Sequence, residues 1–221
     1  MFITYQQTSE QSYLIDYGND IDINTNKKVI SHFNYILKNN FYFIKNIVPS
    51  FNKILIQFDP KNQSRVLNLI TKLKLIDTIN EFKTRKHIIN ICYDEEYALD
   101  YKKVEKAFSL TFEEFIKFHS SHNYFVFMIG FMPGLPFLGL TNSKKKIPRL
   151  ENPRLIVPKG SLGVVDNLSV IYPNQSPGGW NIIGKTNYKL FNNYKYISIL
   201  KPGDTVRFNQ VNKKIFNKNE N

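Results

Sequence analysis

A single cysteine, Cys92, is the whole thiol content of the chain, so neither an internal disulfide nor a four-cysteine metal site is available to it. Cys92 itself reads as a small buried strand residue. Arginine is scarce as well: Arg65, Arg85, Arg149, Arg154 and Arg207 stand against twenty-five lysines. The main apolar stretch, residues 124–140, is short for a membrane span and is broken by Gly130, Pro133, Gly134, Pro136 and Gly139. The N-terminal "MFITYQQTSEQS" lacks the basic, apolar and small-residue succession of a signal peptide. These absences lead to the expectation of a cytoplasmic protein with no membrane partner. An HExxH pattern, a Ser-His-Asp order and paired carboxylates are missing too, and no metal site is expected.

What is present is a chain of 221 residues, 42% hydrophobic, long enough for one large or two small domains. The net charge of +12 comes with abundant Asn and Ile, a bias that genome composition can produce. The basic residues are scattered, and Lys144-Lys145-Lys146 is the densest run. A nucleic-acid binder calls for a basic stripe interleaved with aromatics or a recognisable module. Neither is found, so no nucleic-acid partner is expected.

Residues 178–186, "GGWNIIGKT", contain G-x-x-x-x-G-K-T, the letter pattern of a nucleotide-binding P-loop. That loop wraps a phosphate in backbone N–H groups between a buried strand and a helix N-terminus. Here the upstream run "YPNQSPGG" is turn chemistry. Trp180, Ile182 and Ile183 favour extended backbone. Downstream, "NYKLFNNYKYISIL" reads as turn and strand. The expectation is a strand over 180–184, opened by a Pro-Gly-Gly turn, that does not bind ATP.

Residues 1–80 read as a small α+β domain. "SYLIDYG" is a strand ended by Gly18. "NKKVISHFNYILKN" places Val29, Ile30, Phe33, Ile36 and Leu37 at helical spacing, with His32 on the flank. "FIKNIVPS" and "KILIQFDP" are strands joined through Ser50–Asn52. "QSRVLNLITKLKL" forms a second helix with Val66, Leu69, Ile70 and Leu73 on one face. The order strand, helix, strand, strand, helix suggests a split βαβ, ferredoxin-like arrangement. Residues 79–90 read as a connector entering the strand "HIINICY". "DEEYALDYKKVEKAF" is partly helical. In "TFEEFIKFH", Thr111 and Glu114 form a capping box, and His119 ends the apolar face of Phe112, Phe115 and Ile116. From Tyr124 on, short apolar segments alternate with Gly and Pro, the texture of a barrel or sandwich.

Five blocks then carry a resemblance: "GFMPGLPFLGL" (130–140), "PRLENPR" (148–154), "VPKGSLGVV" (157–165), "IYPNQSPGGWNIIGKT" (171–186) and "LKPGDTVRF" (200–208). In this order they resemble the family of 5-oxoprolinase B subunits, which includes a sporulation-kinase inhibitor and the allophanate hydrolase subunit 1 domain. The likeness runs from the hairpin "VPSFNKILIQFDP" to the last strand. It implies an α+β fold with a small N-terminal domain at 1–80 and a cyclophilin-like β-barrel at 85–215. It implies a protein that works with 5-oxoprolinase subunits C and A to open 5-oxo-L-proline to L-glutamate at the expense of ATP. ATP and Mg²⁺ are expected at the level of the complex and not on this chain alone. Inhibition of a histidine kinase, or a carboxyltransferase-type part in allophanate or urea metabolism, are the alternatives the family leaves open. The segment "VVDNLSVIYP" departs from the family's usual "IAGQQTGIYP" at Asp166, Leu168, Ser169 and Val170, and Lys159 stands where alanine is common.

Arg149 and Arg154, close together in a Pro-rich loop of an arginine-poor chain, are candidates for catalysis. Their planar forks suit a carboxylate or a phosphate. They are expected to line an anion-binding concavity near Trp180. The family has histidine at the place of His119, which joins them as a catalytic candidate. Ser169, Tyr172, Trp180 and Lys185 are expected at the substrate, and each also has an ordinary structural reading. The apolar, Gly/Pro-rich run 130–140, with 172–180, is expected to dock the C subunit.

Overall fold

The computed structural model describes residues 3–76, 84–141 and 143–218. Residues 79–83 of the expected connector lie outside them. The chain divides into two compact units, Met1–Lys83 and Thr84–Asn221.

The first unit opens with the hairpin β1 (Thr4–Ser9) and β2 (Ser12–Asp16), followed by α1 (Ile23–Asn39), β3 (Ile44–Pro49), β4 (Lys53–Phe58) and α2 (Gln63–Leu75). The sheet order is β1-β2-β4-β3, antiparallel throughout. The sequence pattern anticipates β2 through α2 and misses β1. The reason is local: every residue of "TYQQTS" is exposed, so no alternation marks the strand. Asp22 caps α1 by accepting the Thr25 N–H at 2.9 Å, and Asn40 closes the helix in the left-handed conformation. Val29 and Ile36 are buried as expected, whereas Leu37 is 52% exposed. His32 is not a flank residue. It lies three positions from Val29 and four from Ile36, on the same helical face, and is fully buried. Its Nε2 donates to the Ile76 carbonyl at 3.0 Å, which leaves Nδ1 to accept the Tyr17 hydroxyl at 2.8 Å.

The second unit contains β5 (Lys86–Cys92), α3 (Tyr101–Phe108), α4 (Phe112–Ser121), β6 (Asn123–Ile129), β7 (Pro136–Gly139), β8 (Arg154–Val157), β9 (Ser161–Val165) and β10 (Leu168–Ile171). It continues with β11 (Ser176–Gly178), β12 (Asn181–Lys185), β13 (Phe191–Asn192), β14 (Ile197–Ser198), β15 (Thr205–Val211) and α5 (Lys213–Lys218). Seven strands close a barrel in the order β10-β7-β6-β15-β5-β12-β9. β5 and β15 run parallel, and the other pairs are antiparallel. β8 leaves the barrel to pair with β11 in a two-stranded ribbon. "YISIL" contributes only Ile197 and Ser198 to a strand, paired with β13. The capping box is formed: Glu114 N–H donates to Thr111 Oγ at 3.3 Å, and Thr111 N–H donates to Glu114 at 2.8 Å. The barrel core gathers Ile89, Ile91, Val126, Leu162, Ile183 and Phe208 under the face of α4 that carries Phe115.

The P-loop letters fall on β12, and no helix follows before α5. Gly184 has a packing reason, since a Cβ there would lie 2.8 Å from the Cys92 carbonyl oxygen on β5. Cys92 is buried, and burial pushes its thiol up. No helix among the described residues is long and apolar enough to cross a membrane.

Candidate functional site

The residues expected to carry chemistry fall into three places, all within the second unit. The first is an open concavity of ≈ 840 Å³ whose lining includes Lys103, Lys106, Arg149, Glu151, Arg154 and Asn181. Its loop is held from below. Asn181, at the start of β12, donates from its side-chain amide to the Pro148 carbonyl at 2.9 Å and to that of Val164 at 3.2 Å. Leu150 N–H donates to the Gly179 carbonyl at 2.8 Å. The loop is therefore tied to the edge of β12 and β9 rather than left to wander.

The two arginines differ. Arg154, on β8, gives both arms of its fork to Asp100, each at 2.8 Å. Asp100 is buried, and its Oδ2 also accepts the Ile182 N–H at 2.8 Å. The fork expected to hold a substrate anion is thus occupied by a carboxylate of the chain itself. Arg154 thereby pins β8 to the residue that opens α3. Arg149 is exposed, and no carboxylate among the described residues pairs with it. Its guanidinium lies over Gly179, about where a Cβ would meet Nη2 at 3.5 Å.

Tyr172 and Trp180 approach the same turn from the barrel side. A Cβ on Gly178 would lie 2.3 Å from the Tyr172 hydroxyl, so glycine is what lets the ribbon rest on that phenol. Burial pushes the Tyr172 hydroxyl up, against a backbone hydrogen bond from Trp180 and the charges of Arg149 and Arg154. Trp180 is half-buried, edge-on to Phe137 at 5.9 Å, and packs on Leu135, Val157 and Ile182. Arg149, Arg154, Tyr172 and Trp180 therefore do meet, around Gly178-Gly179.

The second place is the barrel interior. His119 is 1% exposed, and Ser169 likewise. His119 Nδ1 meets the Tyr93 hydroxyl at 3.1 Å and Nε2 meets Ser169 Oγ at 3.1 Å. The ring is stacked on Phe208 at 5.0 Å, and the Tyr124 hydroxyl donates to the His119 carbonyl at 3.0 Å. Burial, with a smaller repulsion from His122, pushes the imidazole down to about 3. The ring is buried and both of its nitrogens are engaged within the chain. The pair joins α4 to β10 inside the core, and neither residue lines the arginine concavity.

The third place is a cleft of ≈ 470 Å³ to which Tyr172 and Lys185 contribute. The Lys185 ammonium is turned onto the rings of Tyr97 at 5.2 Å and Phe216 at 5.9 Å, away from the arginine concavity. Four contributors escaped the sequence reading: Asp100, Lys103, Lys106 and Asn181. Asp100 had one visible signal, an acidic residue just before the helical run "YKKVEKAF". Among the described residues, no group of three His, Cys, Asp or Glu side chains is arranged to hold a metal ion.

Residues 3–199 match the family described as carboxyltransferase domain, subdomain C and D. The 5-oxoprolinase B subunit of Bacillus subtilis (strain 168) is 30% identical over 230 residues, covering 97% of this chain and 96% of that protein. A solved structure of the protein TTHA0988 superposes with a TM-score of 0.79 at 26% identity, over 91% of this chain and 40% of that one. The urea carboxylase of Kluyveromyces lactis gives a TM-score of 0.80 at 17% identity, over 98% of this chain and 22% of that one, a likeness of fold.

Proposed function

The chain belongs to the carboxyltransferase-domain family, in the branch of the 5-oxoprolinase B subunits, and from that premise we propose that it is the B subunit of an ATP-dependent 5-oxoprolinase. The complex opens the lactam of 5-oxo-L-proline to give L-glutamate. The observation that carries this reading is the end-to-end match to a B subunit, 97% of this chain against 96% of the relative. The fold is proposed as a split-βαβ variant followed by a cyclophilin-like barrel. Supporting the first part, β2 and β3 run the same way on either side of β4 and are joined by α1, with β1 at the edge.

In this reading Arg149 receives the carboxylate of 5-oxoproline, because its fork matches two carboxylate oxygens and is not otherwise paired. Lys103 and Lys106 add positive potential to the same concavity. Arg154, held by Asp100, fixes the ribbon that carries Gly178 and does not itself grip the substrate. The Trp180 indole forms an apolar wall for the ring. In this reading the chain contributes the carboxylate-binding arginine and no nucleotide site of its own. ATP and Mg²⁺ are accordingly assigned to the assembly with subunits A and C.

The face that meets the C subunit is proposed to be the side of the barrel bearing Phe131, Leu155 and Ile156, which are 70%, 85% and 61% exposed. Phe131 adjoins Met132 in sequence and Ile156 adjoins Val157, both members of the apolar group under Trp180. Large exposed apolar side chains beside an ordered cluster are what a protein contact uses. The test is reconstitution. The purified chain is expected to show no 5-oxoproline-dependent ATP hydrolysis, and activity is expected on adding subunits A and C. Full turnover by this chain alone overturns the reading, as does a stable inactive complex with a histidine kinase in place of subunits A and C.

A further inference from the structure

The cleft between the turn at Lys159-Gly160 and the segment 186–193 is built from parts the proposal above does not use. Its floor is closed by backbone. Gly160, at φ +81°, brings the turn so near the facing segment that a Cβ would lie 2.1 Å from the Thr186 carbonyl oxygen. The Thr186 N–H also donates to the Gly160 carbonyl at 2.9 Å.

One wall is Tyr188, and a chain of polar groups that ends on the buried Asp204 fixes it. Its hydroxyl meets His87 Nδ1 at 3.1 Å, and His87 Nε2 meets Asp204 at 3.2 Å. Asp204, 3% exposed, also accepts the Arg85 Nε–H at 3.1 Å and the Lys201 N–H at 2.8 Å. Because a carboxylate only accepts, Nε2 carries the hydrogen of that contact, and Nδ1 faces the Tyr188 hydroxyl. The tyrosine hydroxyl is thus spent inward, and the ring stands as a rigid side of the cleft together with Phe191.

The charge around this cleft has one sign. Lys159 and Lys189 are exposed at its edge, the Lys185 stem lines it, and no Asp or Glu contributes to it. Asn174, Asn187 and Asn193 supply neutral amide groups. No arginine takes part, in contrast to the concavity at Arg149. Guanidinium forks take carboxylates and phosphates alike in bidentate fashion, and ammonium point charges with amide donors also hold a tetrahedral oxyanion, which can be approached from several directions.

We propose that this cleft is a binding site for a phosphate group, free or carried on a small ester, held between Lys159 and Lys189 against the Tyr188 wall. The proposal does not depend on the 5-oxoprolinase reading.

Binding of inorganic phosphate and of AMP to the purified full chain, followed by calorimetry at low salt, tests it. Saturation is expected at about 1 mM ligand or below for at least one of the two. Equal affinities assign the phosphate alone, and tighter AMP binding adds the base against Tyr188 and Phe191. Replacing Lys159→Ala and Lys189→Ala together is expected to weaken binding by at least about fivefold, because two charge-assisted contacts are lost. The exposed rim change Asn193→Asp is expected to weaken it too, while Lys144→Ala with Lys146→Ala leaves it unchanged. No saturable binding of either ligand overturns the proposal. So does equal weakening by both lysine pairs, which marks mere attraction to a basic surface.

Discussion

Replacing Asp100 by alanine tests the account of the arginine loop most directly. The Asp100 side chain is 2% exposed and is the meeting point of both Arg154 arms and the Ile182 amide. Truncation leaves the buried Ile182 N–H without an acceptor, a cost of about 1–3 kcal/mol. It also strands the Arg154 charge. A fully buried pair broken from one side costs about 3–5 kcal/mol, but Arg154 keeps 27% of its side chain exposed and can recover water, so about 1–2 kcal/mol is the better figure. The two together give about 3 kcal/mol. For a unit of this size that is a fall in melting temperature on the order of 10 °C. Asp100→Asn keeps an acceptor for Ile182 and is expected to lose roughly half as much. Thermal unfolding of the wild type, both variants, Arg154→Leu and the Asp100→Ala/Arg154→Leu double variant measures these contributions, with a coupling of about 1–2 kcal/mol expected between the two sites. A loss below about 1 kcal/mol for Asp100→Ala, or strict additivity in the cycle, refutes the pinned fork. Arg154 would then be free for an anion, as the sequence alone suggests.

His119 gives a pH dependence with a definite sign. Its folded imidazole sits at about 3 against an ordinary 6.5, so the unfolded chain binds the extra proton. Its contribution is complete above pH 6.5 and is lost as pH falls toward 3, by up to about 5 kcal/mol at 1.36 kcal/mol per unit. His119→Gln keeps a donor and an acceptor but cannot charge, so its melting temperature is expected to fall less steeply in that window; identical slopes would sink the idea. Thr111→Ala removes the capping box of α4 and is expected to cost about 1 kcal/mol in denaturant unfolding, while a change within error would mean the cap contributes nothing. Gly160→Ala is expected to cost more than about 2 kcal/mol, from strain at positive φ and a clash with backbone. Gly179→Ala, with its nearest neighbours at 3.5 Å, should cost less than about 1 kcal/mol, and equal losses would contradict the close approach.

What could be read in the sequence was what is local. The capping box at Thr111 and Glu114 needs only three residues' separation, and the stripe Val66, Leu69, Ile70, Leu73 only helical period. The rejection of the P-loop rested on the β-forming interior of "WNIIG", and β12 is a strand for that reason. β1 was invisible because both of its faces meet water. The contacts at the site that the sequence does not show have a different cause. Arg154 and Asp100 are far apart in sequence, and only the pairing of β8 with β11 beside β12 brings them together. His119 and Ser169 lie equally far apart, and their meeting depends on β10 closing the barrel over α4. A lone histidine at the end of an apolar stripe carries no mark that separates an interior partner from a reacting group.

The turn Gly178-Gly179 shows why the arginine concavity has one good wall and an open side. Gly178 lets β11 rest on the Tyr172 hydroxyl, and Gly179 leaves room for the Arg149 guanidinium above it. Leu150, bonded to Gly179, and Asn181, bonded to Pro148, then clamp the loop to the start of β12. Everything that fixes Arg149 therefore comes from the barrel side. On the solvent side, Arg149 is exposed and β8 presents Leu155 and Ile156 outward. A cation on a fixed loop and bare in front is screened by water. Its interaction with a carboxylate becomes strong only when a second surface excludes that water. In the reading proposed above, the apolar side chains on the same ribbon bring the surface of the C subunit down over it, so that docking and exclusion of water are one event.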